Sequence, residues 1–193
     1  MLRSIVQDTR ERILDTAQKL AQQRGFSAFS YADVSEAVGI RKASIHHHFP
    51  SKDDLELALV RRYNERFAQA LDDIERRHTG AAKRLRAYGL LYRATLDAGA
   101  LCLCGMMASD IVALPEPLRA PLGEFFAHQS RWLAALLESG RRSGEFLFSG
   151  PPLRRAQTVL ATLQGGLLMA RGVDDPALFD ALLDDLLAGV GHK

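Results

Sequence analysis

Apolar side chains recur every three or four positions along most of this chain, the period of an α-helix with one buried face. Ile13, Leu14, Ala17, Leu20 and Ala21 mark such a face over residues 8–24, and Gly25 ends it as a C-terminal cap. Ser30 is placed to cap a short helix carrying Ala32, Val34, Ala37 and Val38, which Gly39 breaks. A third short helix follows over 42–49 and stops at Pro50. Ser51, with Asp54 three residues on, resembles a capping box opening a long helix that runs to Arg77. Its inward positions are Leu55, Leu59, Val60, Tyr63, Phe67, Leu71 and Ile74. The helical pattern resumes over 82–97, 102–113, 118–142, 153–171 and 176–189. Breaks fall at Thr79–Gly80, Gly99, Pro115, the Gly/Ser/Pro loop 143–152 and Gly172–Pro176. Glu145–Phe148 is the only strand candidate, so the chain reads as all-α.

Two short helices joined by a glycine-containing turn make a helix-turn-helix unit. Here they are 31–38 and 42–48, about Gly39 and Ile40. The second carries what a helix entering a DNA groove needs. Arg41, Lys42, Ser44, His46 and His47 supply donors for phosphates and base edges. Ala43 keeps the helix close to the groove and can touch a thymine methyl. Ile45 and Phe49 point back into a small core of Ile13, Ala17, Phe26, Val34 and Val38. The run His46–His48 invites a metal reading, but adjacent helical residues point about 100° apart and cannot share one tetrahedral ion well. No metal and no cofactor is expected.

Residues 9–55 resemble the TetR family of one-component transcriptional repressors. The matching stretches are Ile13–Leu14 with Ala17, Leu20 and Gly25–Phe26, then Ala32 with Val34. The run Gly39-Ile40-Arg41-Lys42-Ala43-Ser44-Ile45-His46-His47-His48-Phe49 follows, then Ser51-Lys52 and Leu55. The resemblance implies a three-helix DNA-binding domain over 1–52 and a helical ligand-binding and dimerisation domain over 53–193. It implies a homodimer on a palindromic operator in the cytoplasm, released by a small-molecule effector. It also sets Lys52, at the start of the long helix, against a phosphate. Ser30 and Tyr31 complete the candidate DNA-contacting set. Two positions depart from the family: His46 stands where tyrosine is usual, and Arg41 where a small capping residue is common. A neutral histidine can still donate to phosphate, and Arg41 adds a cation near the backbone.

The rest of the chain has the features of a sensing body. Tyr88, Leu91, Tyr92, Met106, Met107, Phe125, His128, Gln129 and Trp132 offer an adaptable apolar pocket with polar handles, or plain core. The last two helices have wide apolar faces. Leu160, Leu163, Gln164, Leu167, Leu182 and Leu186 are the candidates for a four-helix seam between two protomers. A dimer also suits two half-sites about 34 Å apart. Cys102 is expected to open a helix, where a thiol is more acidic and can act as a sensor. Its run, Leu101-Cys102-Leu103-Cys104-Gly105-Met106, is similar to that of an electrophile- and oxidant-sensing branch of the family, with Cys102 at the reactive position. A buried small hydrophobe is the plain alternative.

Charge and composition narrow the class. The 193 residues carry 25 Lys+Arg against 23 Asp+Glu, so the net charge of +2 excludes a strongly polyanionic or polycationic chain. The first hundred residues are net basic and the remainder net acidic, as for a nucleic-acid-binding head on a different body. Two cysteines make no disulfide framework, and a reducing compartment is the default. The start lacks the apolar core of a signal peptide, and apolar runs stop well short of the roughly 20 residues of a membrane span. No paired catalytic carboxylates, nucleophile motif, phosphate loop or zinc spacing is present, which argues against an enzyme. A helical adaptor with a vestigial DNA head is the competing reading.

Overall fold

The computed structural model describes the backbone of residues 2–112 and 114–190 and the side chains from residue 8 onward. Arg3, a candidate for brushing the DNA backbone, lies outside the described side chains. Nine α-helices run through the described residues. They are α1 Leu2–Arg24, α2 Tyr31–Val38, α3 Lys42–His48, α4 Lys52–Arg77, α5 Ala81–Asp97, α6 Leu103–Ser109, α7 Glu116–Ser143, α8 Pro152–Gly172 and α9 Pro176–Ala188. None is long and apolar enough to cross a membrane.

The chain packs as two compact units. Residues 1–65 with 103–122 form the first, and 66–102 with 123–193 the second. In the first unit Ile13, Leu14, Ala17, Val34, Ile45, Leu55 and Leu59 are fully buried. These are the positions that helical spacing turns inward. Polar ties hold the helices in register. Arg12 donates to the Val38 carbonyl at 2.7 Å, closing the C-terminus of α2. Arg62 on α4 meets Glu11 and Asp15 at 3.0 Å and the Gln18 amide oxygen at 3.1 Å, all on α1. Gly39 adopts φ +73° and its N–H bonds the Ser35 carbonyl at 3.0 Å. That left-handed cap makes the turn between α2 and α3 and suits glycine.

In the second unit α8 packs against α9 and α5, and α5 against α9. A Cβ at Gly140 of α7 would lie 2.2 Å from the Phe146 ring and 2.8 Å from the Ala81 Cβ, so close approach demands glycine there. The strand candidate Glu145–Phe148 forms no strand. Its Leu147 N–H bonds the Val190 carbonyl at 3.0 Å, and its Glu145 carboxylate caps α5. The oxygens of Glu145 accept from the Ala81 and Ala82 N–H groups at 3.0 and 3.1 Å. Those bonds hold its carboxyl below the ordinary carboxylate value. α6 is shorter than the periodicity predicts, ending at Ser109, because 110–112 turn away with the Asp110 N–H on the Met107 carbonyl.

Candidate nucleic-acid interface and effector core

The helix-turn-helix is pinned by two capping boxes. Ser30 and Asp33 exchange bonds at the start of α2, with the Ser30 N–H on the Asp33 carboxylate at 2.7 Å. The Ser30 N–H and hydroxyl hold the Asp33 carboxyl below its usual value. Ser51 and Asp54 repeat the device at the start of α4, with Ser51 N–H to Asp54 at 3.0 Å and Asp54 N–H to the Ser51 hydroxyl at 3.1 Å. The spacing of Ser30 and Asp33, three residues apart, is the same sequence signal as that of Ser51 and Asp54.

α3 divides cleanly into two faces. Ile45 is buried, as is Phe49 just after the helix, while Arg41, Lys42, Ala43, His46 and His47 are exposed and Ser44 is half-buried. Arg41 is the N-cap and makes no side-chain capping bond, leaving its guanidinium outside the helix hydrogen bonding. His48 is half-buried. Burial, and then the charges of His47 and Arg10, push its pKa down.

Two candidate contacts are engaged by the protein's own backbone. Tyr31 is buried, not presented outward, and its hydroxyl donates to the Phe49 carbonyl at 2.9 Å while also meeting the Ser51 carbonyl. It thereby ties the end of α3 to the start of α4, and burial pushes its pKa up to about 12. The Lys52 ammonium donates to the carbonyls of Phe26 and Phe29 at 2.6 and 3.0 Å and lies over the Phe29 ring. Two of its three protons are therefore engaged by the turn after α1.

His46 has a geometry that sequence reasoning missed. Its Nδ1 lies 3.1 Å from the Pro50 carbonyl. A carbonyl only accepts, so Nδ1 must carry the proton. The remaining ring atom, Nε2, is then an acceptor when the ring is neutral and a donor only in the imidazolium. With the ring held this way, a neutral His46 offers an outside group an acceptor at Nε2.

Glu56 is buried on α4, with the Lys52 ammonium at 3.9 Å. Burial raises its pKa to about 7, and Lys52 offsets only part of that rise. In the unfolded chain a glutamate sheds its proton near 4.5, so the unfolded state binds fewer protons at intermediate pH. Its contribution is complete below the unfolded value and is lost as pH rises through 7. Glu56→Gln should reduce the fall in stability between pH 5 and pH 8, read by urea unfolding at both.

The second unit holds an aromatic core. Phe67 lies 5.3 Å from Phe125 and 6.2 Å from both Tyr88 and Tyr92, ring centre to ring centre. Tyr88 stacks on Trp132 at 5.5 Å, and its hydroxyl is 3.2 Å from that of Tyr92. Trp132 is half-buried and donates from its indole N–H to Glu75 at 2.8 Å. Gln129 is 1% exposed, and its amide oxygen has no hydrogen-bond partner among the described residues. Cys102 is buried and precedes the first residue of α6; its Sγ accepts from the Gln164 amide at 3.3 Å. Not every candidate joins this core. His128 is exposed, Leu91 is half-buried along a groove between α4 and α5, and Met106 and Met107 belong to the first unit.

The six seam candidates divide by burial. Leu160, Leu163 and Leu167 are buried within their own chain, because that stripe of α8 faces α5 and α9. Gln164 is half-buried on Cys102. Leu182 and Leu186 are half-buried along a cleft of about 240 Å³ beside Val159 and Arg155. The apolar residues of α8 left exposed include Ala161, Leu168 at 54% and Met169 at 57%. Helical periodicity marks both stripes alike and does not say which one the chain itself covers.

An exposed cationic helix on a stapled helix-turn-helix, in an all-helical chain, defines a DNA-binding transcriptional regulator. Comparison with known proteins gives the family. Residues 13–59 match the family model described as bacterial regulatory proteins, tetR family. A TetR-family regulator from Agrobacterium tumefaciens superposes with a TM-score of 0.93 at 35% identity, over 97% of this chain and all of that one. The HTH-type transcriptional repressor NemR of Escherichia coli K12 is 29% identical over 171 residues, covering 85% of this chain and 84% of the relative. The reduced form of E. coli NemR superposes with a TM-score of 0.82 at 26% identity, over 95% and 97% of the two chains. This chain belongs to the TetR family.

Proposed function

We propose that the protein is a homodimeric repressor that holds a palindromic operator and releases it on meeting a small-molecule effector or on modification of Cys102. The observation carrying this reading is the exposed face of α3, where Arg41, Lys42, Ala43, His46 and His47 stand clear of the core. Residues 1–52 act as the DNA-binding head in the cytoplasm, and 53–193 as the sensing and dimerising body. The groups offered to DNA are Arg41, Lys42, Ala43, Ser44, His46 and His47, with Ser30, Tyr31 and Lys52 holding them in position. The self-association face includes the stripe Ala161, Gly165 and Leu168 of α8, where a Cβ at Gly165 would meet nothing within 4 Å.

The effector is proposed to enter among Tyr88, Tyr92, Phe125 and Trp132, and the unpartnered oxygen of Gln129, on the same helix as Phe125 and Trp132, is the acceptor proposed for it. An adduct on Cys102 would break its bond to Gln164, on the same helix as the association stripe. Either signal acts only through its different affinity for the two states, and a tenfold loss of operator affinity needs about 1.4 kcal/mol of coupling. The test is operator release by N-ethylmaleimide, followed by anisotropy. Release should disappear in Cys102→Ser and persist in Cys104→Ser. Release that survives in Cys102→Ser, or none in the wild type, removes the thiol as a signal.

A further inference from the structure

The C-terminal part of α4 and the first half of α5 enclose an open groove of about 460 Å³. Small-molecule sites commonly span about 300–1,000 Å³. The floor is apolar, made by Ile74, Leu90, Leu91 and neighbouring alanines. Leu90 stands there 47% exposed, a large apolar side chain in contact with water. The rim carries Arg77, Lys83 and Arg86 against a single carboxylate, Asp73. That carboxylate is already engaged by Arg76 and Arg77. Arg86 meets Asp184 at 2.8 Å, but both side chains are more than half exposed, and such pairs exchange readily with other ions. Lys83 has no ion-pair partner among the described residues. The N-terminus of α5 is no competing anion site, since Glu145 already fills it.

An uncompensated ammonium beside a wet apolar floor selects one ligand chemistry: an anionic head on a hydrocarbon body. The head sits against Lys83 and Arg77, and the chain lies over Leu90 and Ile74. A cationic amphiphile meets repulsion at the rim, and a neutral one keeps only the apolar half of the binding. We propose that this groove is a binding site for a medium-chain carboxylate, distinct from the aromatic core of Tyr88 and Trp132.

The test is calorimetric titration of the full chain with sodium decanoate below its micellar concentration. Decyltrimethylammonium and sodium acetate serve as comparison ligands. One saturable decanoate site per protomer is expected, with the other two at least about tenfold weaker. Lys83→Glu should weaken decanoate about tenfold or more, and Leu90→Asp should abolish the site. Both residues are exposed, so unchanged thermal melting of each variant shows that it folds. Three results overturn the assignment: no saturable heat with decanoate, equal binding of decyltrimethylammonium, or decanoate affinity unchanged in both variants. Operator binding plays no part in these readings, so this site and the repressor reading can fail separately.

Discussion

Replacing Arg41 and Lys42 together by alanine should cost about 1–3 kcal/mol of operator affinity for each side chain that reads a base. For each that reaches a phosphate, the salt dependence should flatten, with the slope of log affinity against log salt falling by about 1. Both side chains are exposed, and neither contributes to the buried face of α3, which Ile45 and Phe49 supply. The double variant should therefore melt like the parent. Arg154→Ala, an exposed cation on α8, should leave both the affinity and the slope unchanged. Anisotropy titrations on one operator duplex at two salt concentrations measure both quantities. A double variant that binds with the parent's affinity and slope would place the DNA-reading surface elsewhere.

Tyr88→Ala should destabilise the second unit by about 3–5 kcal/mol, the range for truncating a large buried aromatic. Tyr88 is fully buried and touches Phe67, Tyr92 and Trp132. Its loss removes the ring stacked on the indole and the hydroxyl that meets that of Tyr92. Burial is also why the Tyr88 pKa is driven far up: the ionised form has no place in this core. Tyr88→Phe keeps the ring and loses only a hydroxyl bond, which should cost about 1–3 kcal/mol. Thermal melting followed by near-ultraviolet dichroism separates the two, because Trp132 is the sole tryptophan. A Tyr88→Ala protein as stable as the parent would mean that this cluster is loosely packed. The alanine variant is thus a poor probe of effector binding, since it damages the pocket before any ligand arrives.

The helices were legible in the sequence because their signals are local. Ser30, Gly39, Pro50 and Ser51 punctuate the head, and each does in the structure what its chemistry predicts. The outward and inward faces of α3 follow from spacing alone. What stayed illegible depends on partners far along the chain. The side of α8 covered by α5 and α9 cannot be read from periodicity, so Leu160, Leu163 and Leu167 looked like a seam although they are core. Lys52 is held by carbonyls 23 and 26 residues away. Tyr31 spends its hydroxyl on backbone 18 residues on. The His46 tautomer is set by one carbonyl distance, which no sequence pattern encodes. Met106 and Met107 read as pocket residues by composition, yet 103–122 belongs to the unit that contains the head helices.

Sequence-specific binding by a dimer is the claim on which the rest depends. Fluorescence anisotropy on DNA from upstream of the protein's own gene, at two salt concentrations, measures it most directly. The account predicts salt-sensitive binding to an inverted repeat, saturating at a multiple of two protomers, with much weaker binding to a scrambled duplex. Equal affinity for the scrambled duplex, or saturation by a single protomer, would contradict it.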